Sequence, residues 1–250
     1  MSEENYLLIS DDGPGFHTIE GEGKFIGYPS VFMRLFGCNL TCRGWASPDS
    51  PWGCDSYISW SKKNKYSFEQ LFKFYKENGL ADNLRRGDIW KITGGEPMLR
   101  QEPLLKFVEA FKNHFGFLPR IDFETNGTIL PDPKWVEEYN ATFTTSPKLS
   151  SNGDSKQKRY NLQALKFHVD HNSCFKFVIK DETDMQELFI DFINHPGLMI
   201  PRDLIWIMVC AGSRAEHIDN AEPVAELCKQ YGFKMSPRLH LMVWDRALRV

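Results

Sequence analysis

Short apolar runs alternate with stretches of helical period along most of the chain. Runs rich in β-branched and aromatic residues predict strands over Ser30–Phe36, Ile89–Thr93, Ile121–Glu124, Thr142–Thr145, Phe175–Ile179 and Ile205–Val209. Helical patterns predict helices over Ser67–Asn78, Glu102–Phe115, Pro133–Tyr139, Asp184–Asn194 and Asn220–Tyr231. Ser67 with Gln70 matches a capping box, and Asp184 with Glu187 matches another. Strand–helix alternation predicts parallel β/α units, whose functional side chains collect at the carboxyl ends of the strands. Polar or Gly-rich segments follow four predicted strands: Gly37-Cys38, Thr93–Pro97, Glu124–Gly127 and Ser146–Lys148. Ser150–Lys158 is polar, contains Gly153, and reads as a mobile surface loop. No internal repeat or low-complexity tract interrupts the pattern.

The chain has 250 residues and is 42% hydrophobic, enough for one large core and a single domain over 1–250. A formal net charge of −3 and the lack of a Lys/Arg block speak against direct binding of nucleic acid. The opening residues lack the charged-then-apolar pattern of a signal peptide. No apolar stretch reaches the roughly 18 residues of a membrane helix. The expected address is therefore the cytoplasm, with no membrane partner.

Cysteine placement changes the picture most. Cys38, Cys42 and Cys54 cluster, whereas Cys174, Cys210 and Cys228 sit alone in apolar segments and read as core thiols. A disulfide framework suits small secreted domains, so the cluster reads as metal-binding. Three thiolates can satisfy three irons of a [4Fe–4S] cubane and leave the fourth open. That iron can chelate the amino and carboxylate groups of S-adenosylmethionine (SAM). Structural zinc and simple ferredoxin sites use four protein ligands. No fourth cysteine lies nearby. His17 is available on sequence alone, although it falls on the far side of the first predicted strand. Spacing leaves both cluster and zinc open.

Gly37-Cys38-Asn39-Leu40-Thr41-Cys42 resembles the opening of the radical-SAM cluster loop, Cys-x3-Cys-x2-Cys. More narrowly, the chain resembles the 7-carboxy-7-deazaguanine synthase family. The likeness is carried by Phe16–Gly23, Gly27–Cys38, Gly94-Gly95-Glu96-Pro97, Glu124–Thr128, Ser146-Pro147-Lys148, Pro237–His240 and Trp244. Three departures stand out. Eleven residues separate Cys42 from Cys54 where the family has two, an insertion placed at about 43–53 because Cys54-Asp55-Ser56 keeps the family's Cys-Asp-Thr ending. Lengthening a surface loop costs little. Glu20 stands where the family has Gln, and Ser56 where it has Thr.

The resemblance implies a partial, open β/α barrel of the radical SAM type with about six parallel strands. It implies a [4Fe–4S] cluster on Cys38, Cys42 and Cys54, with Mg²⁺ on the Ser56 hydroxyl. SAM is expected at Asp55, Gly95, Glu96, Ser146, Pro147 and Lys148. The implied substrate is 6-carboxy-5,6,7,8-tetrahydropterin, held by Ile19, Glu20, Gly21, Glu22, Arg34, Thr93 and His240. Carboxylates suit a pterin's N–H groups, and Arg34 offers a planar fork to a carboxylate. An Arg inside the apolar run Val31–Leu35 also requires a partner. Glu124 is the candidate base, or a structural partner of a neighbouring Arg or Lys. Ser56 could equally make a local turn bond after Asp55. A one-electron reductant such as a flavodoxin and a homodimer complete the expectation. Two other readings keep part of the pattern: a glycyl-radical-enzyme activase, and a zinc-stabilised binding module.

Overall fold

The computed structural model describes residues 5–10, 13–48, 51–247 and 249–250. A single mixed sheet forms the frame. Its strands are β1 (Tyr6–Ser10), β2 (Phe16–Ile19), β3 (Pro29–Leu35), β4 (Lys63–Ser67), β5 (Ile89–Gly94), β6 (Arg120–Thr125), β7 (Thr142–Thr145), β8 (Cys174–Ile179), β9 (Ile205–Val209) and β10 (Lys234–Ser236). The order is β10-β9-β8-β7-β6-β5-β3-β1-β4, with β2 on β3. From β3 through β10 along this order the neighbours are parallel. β1 and β2 run antiparallel to β3, and β4 antiparallel to β1. This is an open, mostly parallel β/α sheet, as expected. The six expected strands are all present, extended by the short β10.

Period-2 alternation decides which way each strand faces. Trp90 and Ile92 of β5, and Ile121 and Phe123 of β6, enter the core beneath the outer helices. Phe175, Phe177 and Ile179 of β8, with Ile205, Ile207 and Val209 of β9, form a second core. The intervening residues point to the concave side: Lys91, Thr93, Asp122, Glu124 and Lys176. A strand that alternates apolar with charged or polar residues thus builds core and site together.

The outer helices settle where their caps dictate. At Phe68–Glu77, Ser67 Oγ accepts from Gln70 N (3.2 Å) and Gln70 Oε1 accepts from Ser67 N (2.8 Å), so that capping box is present. The second expected box is absent. Asp181 caps the helix Glu182–Leu188 by accepting from Thr183 N, and the Asp184 carboxylate accepts from Lys180 N instead. The helix expected from Asn220 starts at Arg214 because Ser213 caps it, and Pro223 is accommodated inside. Ser150–Lys158 lies largely at the surface, as expected, but it is anchored: Asn152 is fully buried, Asp154 nearly so, and Lys156–Arg159 forms a short helix.

Aromatic packing is dense behind β5. Phe111 of the helix Gln101–Phe115 lies 4.7 Å from the Trp90 ring and 5.8 Å from the Tyr75 ring, and Trp90 Nε1 donates to Tyr75 Oη (3.0 Å). Phe111 is fully buried. Phe111→Ala is expected to lower the unfolding free energy by about 3–5 kcal/mol, read by urea titration.

Candidate active site

The carboxyl ends of β3, β5, β6 and β7 surround one mouth, and a cavity of about 850 Å³ opens there. Its wall includes the sulfur-bearing residues Cys38, Cys42 and Cys54. Each thiol has a donor aimed at it. Leu40 N reaches Cys38 Sγ at 3.4 Å, Asn152 Nδ2 reaches Cys42 Sγ at 3.7 Å, and Trp60 Nε1 reaches Cys54 Sγ at 3.4 Å. Burial pushes the Cys38 thiol up to about 11 and the Cys54 thiol up to about 12, and raises Cys42 as well. Thiolates here therefore call for a bound cation.

The long gap before Cys54 is closed at its neck. Gly53 has φ +81°, and a Cβ on it would lie 2.3 Å from Cys42 O and 2.8 Å from Arg43 Cα. The segment 43–53 leaves and returns at one point, so Cys54 comes back beside Cys42. Asp49 and Ser50, inside this segment, lie outside the described residues.

Below the sulfurs lies a buried ionic network. Lys91 Nζ bridges Glu20 Oε2 (2.7 Å) and Asp122 Oδ2 (2.6 Å). Lys176 bridges Glu22 and Glu124. Arg238 bridges Glu22 Oε1 (2.8 Å) and Asp55. Burial alone would raise the Glu22 carboxyl, but Lys176, Arg238 and His240 hold it well below the ordinary range. Burial and Glu22 would raise the Glu124 carboxyl, but Lys176 and Lys91 together outweigh them and leave its pKa lowered. Glu20 moves the other way: burial, aided by Glu124 and Glu22, outweighs Lys91 and raises it. The His240 pKa is lowered by burial and by Arg238, against the pull of Glu22.

The loop after β2 supplies the floor. Leu239 N donates to Gly21 O (2.9 Å) and Gly23 N donates to Ser236 Oγ (2.7 Å), so the chain beyond β10 is fastened to it. A Cβ on Gly21 would sit 2.2 Å from His240 Nδ1, so only glycine lets the imidazole approach this closely.

Comparison with known proteins bears on this arrangement. No family model matches the chain. The 7-carboxy-7-deazaguanine synthase of Hyperthermus butylicus is 31% identical over 242 residues, covering 91% of this chain and 90% of the relative. The chain belongs to the 7-carboxy-7-deazaguanine synthase family. The synthase of Halobacterium salinarum is 29% identical over 260 residues, covering 94% of this chain and 93% of its own. The crystal structure of QueE from Escherichia coli superimposes with a TM-score of 0.64 at 23% identity, over 96% of this chain and 100% of that one, and shows the shared fold. As a family member this chain is a radical SAM enzyme.

The cavity gathers most of the residues singled out in this synthase-family sequence. Ile19, Glu20, Gly21, Glu22, Arg34, Thr93, Gly95, Glu124, Ser146, Lys148, Asp55, Ser56 and His240 all join the three cysteines in its wall. Glu96 and Pro147 do not. Glu96 is fully buried; Oε1 accepts from Met98 N (2.9 Å) and Thr125 Oγ1 (2.8 Å), and Oε2 from Asn126 N (2.7 Å). Its acceptors are spent joining β5 to β6, so it shapes the mouth from behind. Gly95 packs its backbone onto the cluster loop, where a Cβ would meet Gly37 O at 2.1 Å. His17 Nε2 bonds Asp88 (2.8 Å) outside the cavity wall, which removes it as a fourth ligand. The Arg34 guanidinium lies over the Phe16 and Phe32 rings, 5.7 and 5.6 Å from their centres. Cys174 and Cys228 are buried, but Cys210 is half-buried in the cavity wall and is not a core thiol.

Lys91, Asp122, Lys176 and Arg238 went unread as site residues. A signal was present: a lysine at the centre of Ile89–Thr93, and another at the centre of Cys174–Ile179, each demand a buried carboxylate. Asn126 lies in the cavity wall, and its Nδ2 donates to Asn39 Oδ1 (2.9 Å), next to Cys38.

The depressed Glu22 pKa makes a stability statement with a definite sign. Its contribution is present above the ordinary carboxyl value of 4.5 and is lost as pH falls through the folded value. Raised Glu20 contributes with the opposite sign. Unfolding titrations of cluster-free Glu22→Gln are expected to show a loss of about 3 kcal/mol near neutrality, and a shallower decline into acid than the parent.

Proposed function

We propose that this protein converts 6-carboxy-5,6,7,8-tetrahydropterin to 7-carboxy-7-deazaguanine with loss of ammonia, a carbon–nitrogen lyase step in 7-deazaguanine (queuosine-type) biosynthesis. The observation that carries this reading is the joining of two features in one cavity: three thiols on the mouth, and an ionic floor of Glu20, Glu22, Lys176, Arg238 and His240. Membership of the synthase family supports the same chemistry.

The donor set fits the implied groups to different degrees. Three thiols with N–H donors suit a cluster, because hydrogen bonds to sulfur tune such centres. Among the described residues, no three His, Cys, Asp or Glu side chains are gathered closely enough to hold a lone metal ion. For Mg²⁺ the protein offers the Ser56 hydroxyl, which now donates to Asp55 Oδ1 (3.1 Å). One protein oxygen fits an ion that keeps substrate oxygens and water as its other ligands.

When bound, the cluster and SAM supply a carbon-centred radical that takes a hydrogen atom from the substrate. The chain's own residues do the rest. Cys38, Cys42 and Cys54 hold the cluster; Asp55, Gly95, Ser146 and Lys148 hold SAM. Arg34 and His240 face the substrate carboxylate, while Glu20 and Glu22 accept from the pterin N–H groups. Thr93 completes the wall. Glu124, paired with Lys176 and with its pKa lowered, would receive the proton lost on aromatisation. Positioning the reactants is the protein's main contribution to cofactor chemistry. A one-electron reductant such as a flavodoxin and a homodimeric assembly belong to this proposal. Among the described residues no helix is long and apolar enough to cross a membrane.

Anaerobic reconstitution with iron and sulfide, followed by reductant, SAM, Mg²⁺ and carboxytetrahydropterin, is expected to yield a deazapurine and ammonia. Deoxyadenosine without a deazapurine would point to another radical SAM substrate, such as a glycyl-radical protein; one zinc without sulfide would point to a binding module. Cys54→Ala is expected to take up no cluster, judged by iron and sulfide content. Glu124→Gln is expected to keep the cluster and lose about a hundredfold in kcat.

A further inference from the structure

Cys42 occupies an unusual backbone position. Its φ is +52°, in the left-handed region, and the insertion begins at the next residue. A non-glycine residue held there costs on the order of 1–2 kcal/mol unless its surroundings over-determine it. The surroundings come from the polar segment after β7. Asp154 Oδ2 accepts from Thr41 N (2.9 Å) and from Cys42 N (3.0 Å), and Oδ1 accepts from Thr41 Oγ1 (3.0 Å). Asn152 Nδ2 donates to Asp154 Oδ2 (3.1 Å) and points at Cys42 Sγ (3.7 Å). Asn152 Oδ1 in turn accepts from Asp154 N (2.9 Å), which fixes the turn. A Cβ on Gly44 would lie 2.2 Å from Ser151 O, so the start of the insertion is pressed onto the same turn.

We propose that Asn152 and Asp154 form a clamp that positions Cys42 as a cluster ligand and isolates it from the long excursion at 43–53. The proposal rests on the cluster reading above and adds residues to it. Asp154 touches neither substrate nor SAM in that scheme; it is a positioning residue acting through Cys42. Two amide donors on one carboxylate are charge-assisted bonds, and they hold the two residues that present the sulfur. The turn carrying Asn152 and Asp154 also follows directly on Ser146-Pro147-Lys148. Arg159 Nη1 donates to Lys148 O (2.9 Å) and its guanidinium pairs with Glu187 (2.8 Å), so the far end of the turn is fixed as well. The same short stretch therefore fastens the second cysteine and the segment assigned to SAM.

The test compares the parent chain with Asp154→Ala, Asp154→Asn and Thr41→Val after anaerobic reconstitution. The readouts are iron and sulfide content, the low-temperature EPR spectrum of the reduced cluster with and without SAM, and the rate of iron loss to a chelator. Thermal melts of the cluster-free chains monitor the fold. Asp154→Ala is expected to release iron about ten- to a hundredfold faster than the parent, with an altered EPR spectrum. Asp154→Asn, which keeps an acceptor but not the charge, falls between. Thr41→Val removes one bond at an exposed side chain and gives the smallest increase. If Asp154→Ala does not fold, the other two variants decide. Parent-like release and spectra in the folded variants overturn the clamp alone. A parent chain that takes up no iron overturns the cluster reading and the clamp with it.

Discussion

Glu22 is the residue on which the rest of the site depends. Its carboxylate meets Lys176 from β8 and Arg238 from the chain beyond β10, and Arg238 carries the link on to Asp55 beside Cys54. The sheet is open, and among the described residues no strand pairing joins β10 to the N-terminal strands. Ion pairs through Glu22, with the backbone bond from Leu239 to Gly21, fasten those two parts of the chain together. A buried charge without its partner is very costly, so the loop after β2 is held where its partners are.

The floor and the mouth follow different physical rules. At the floor, charges satisfy one another: Lys91 with Glu20 and Asp122, Lys176 with Glu22 and Glu124. Carboxylates exceed cations there, and burial raises the Glu20 pKa. At the mouth, backbone and side-chain amides converge on sulfur and on the carboxylates of Glu96 and Asp154. Those two carboxylates do not face the cavity. They brace the loops that do, one behind the Gly94-Gly95 turn and one behind Cys42.

The sequence by itself determined the strands and the chemistry at their ends. Alternation in Ile89–Thr93 and Phe175–Ile179 is a local property, since successive side chains of a strand face opposite sides. Cys38 and Cys42, and the Gly-Gly-Glu-Pro, Glu-Thr-Asn-Gly and Ser-Pro-Lys segments, were legible for the same reason: each is a short local pattern at the end of a strand. The short strands β1, β2, β4 and β10 escaped because they draw their order from neighbours rather than from their own pattern.

Only the tertiary structure decided the partnerships. Glu22 and Arg238 are far apart in sequence, as are Cys42 and Asp154, and no local pattern pairs them. It anchored the surface segment Ser150–Lys158 through two buried residues, Asn152 and Asp154, because Asp154 finds the amides of Thr41 and Cys42. It withdrew Glu96 from the cavity and assigned His17 to Asp88. Cys54, whose spacing in the chain is so unlike its family's, is returned to Cys42 by Gly53 packing on the first residues of the insertion. Loop length measures the path of the chain, whereas a metal site needs only its ends to meet, and that closure is a contact between distant residues that no local sequence can state.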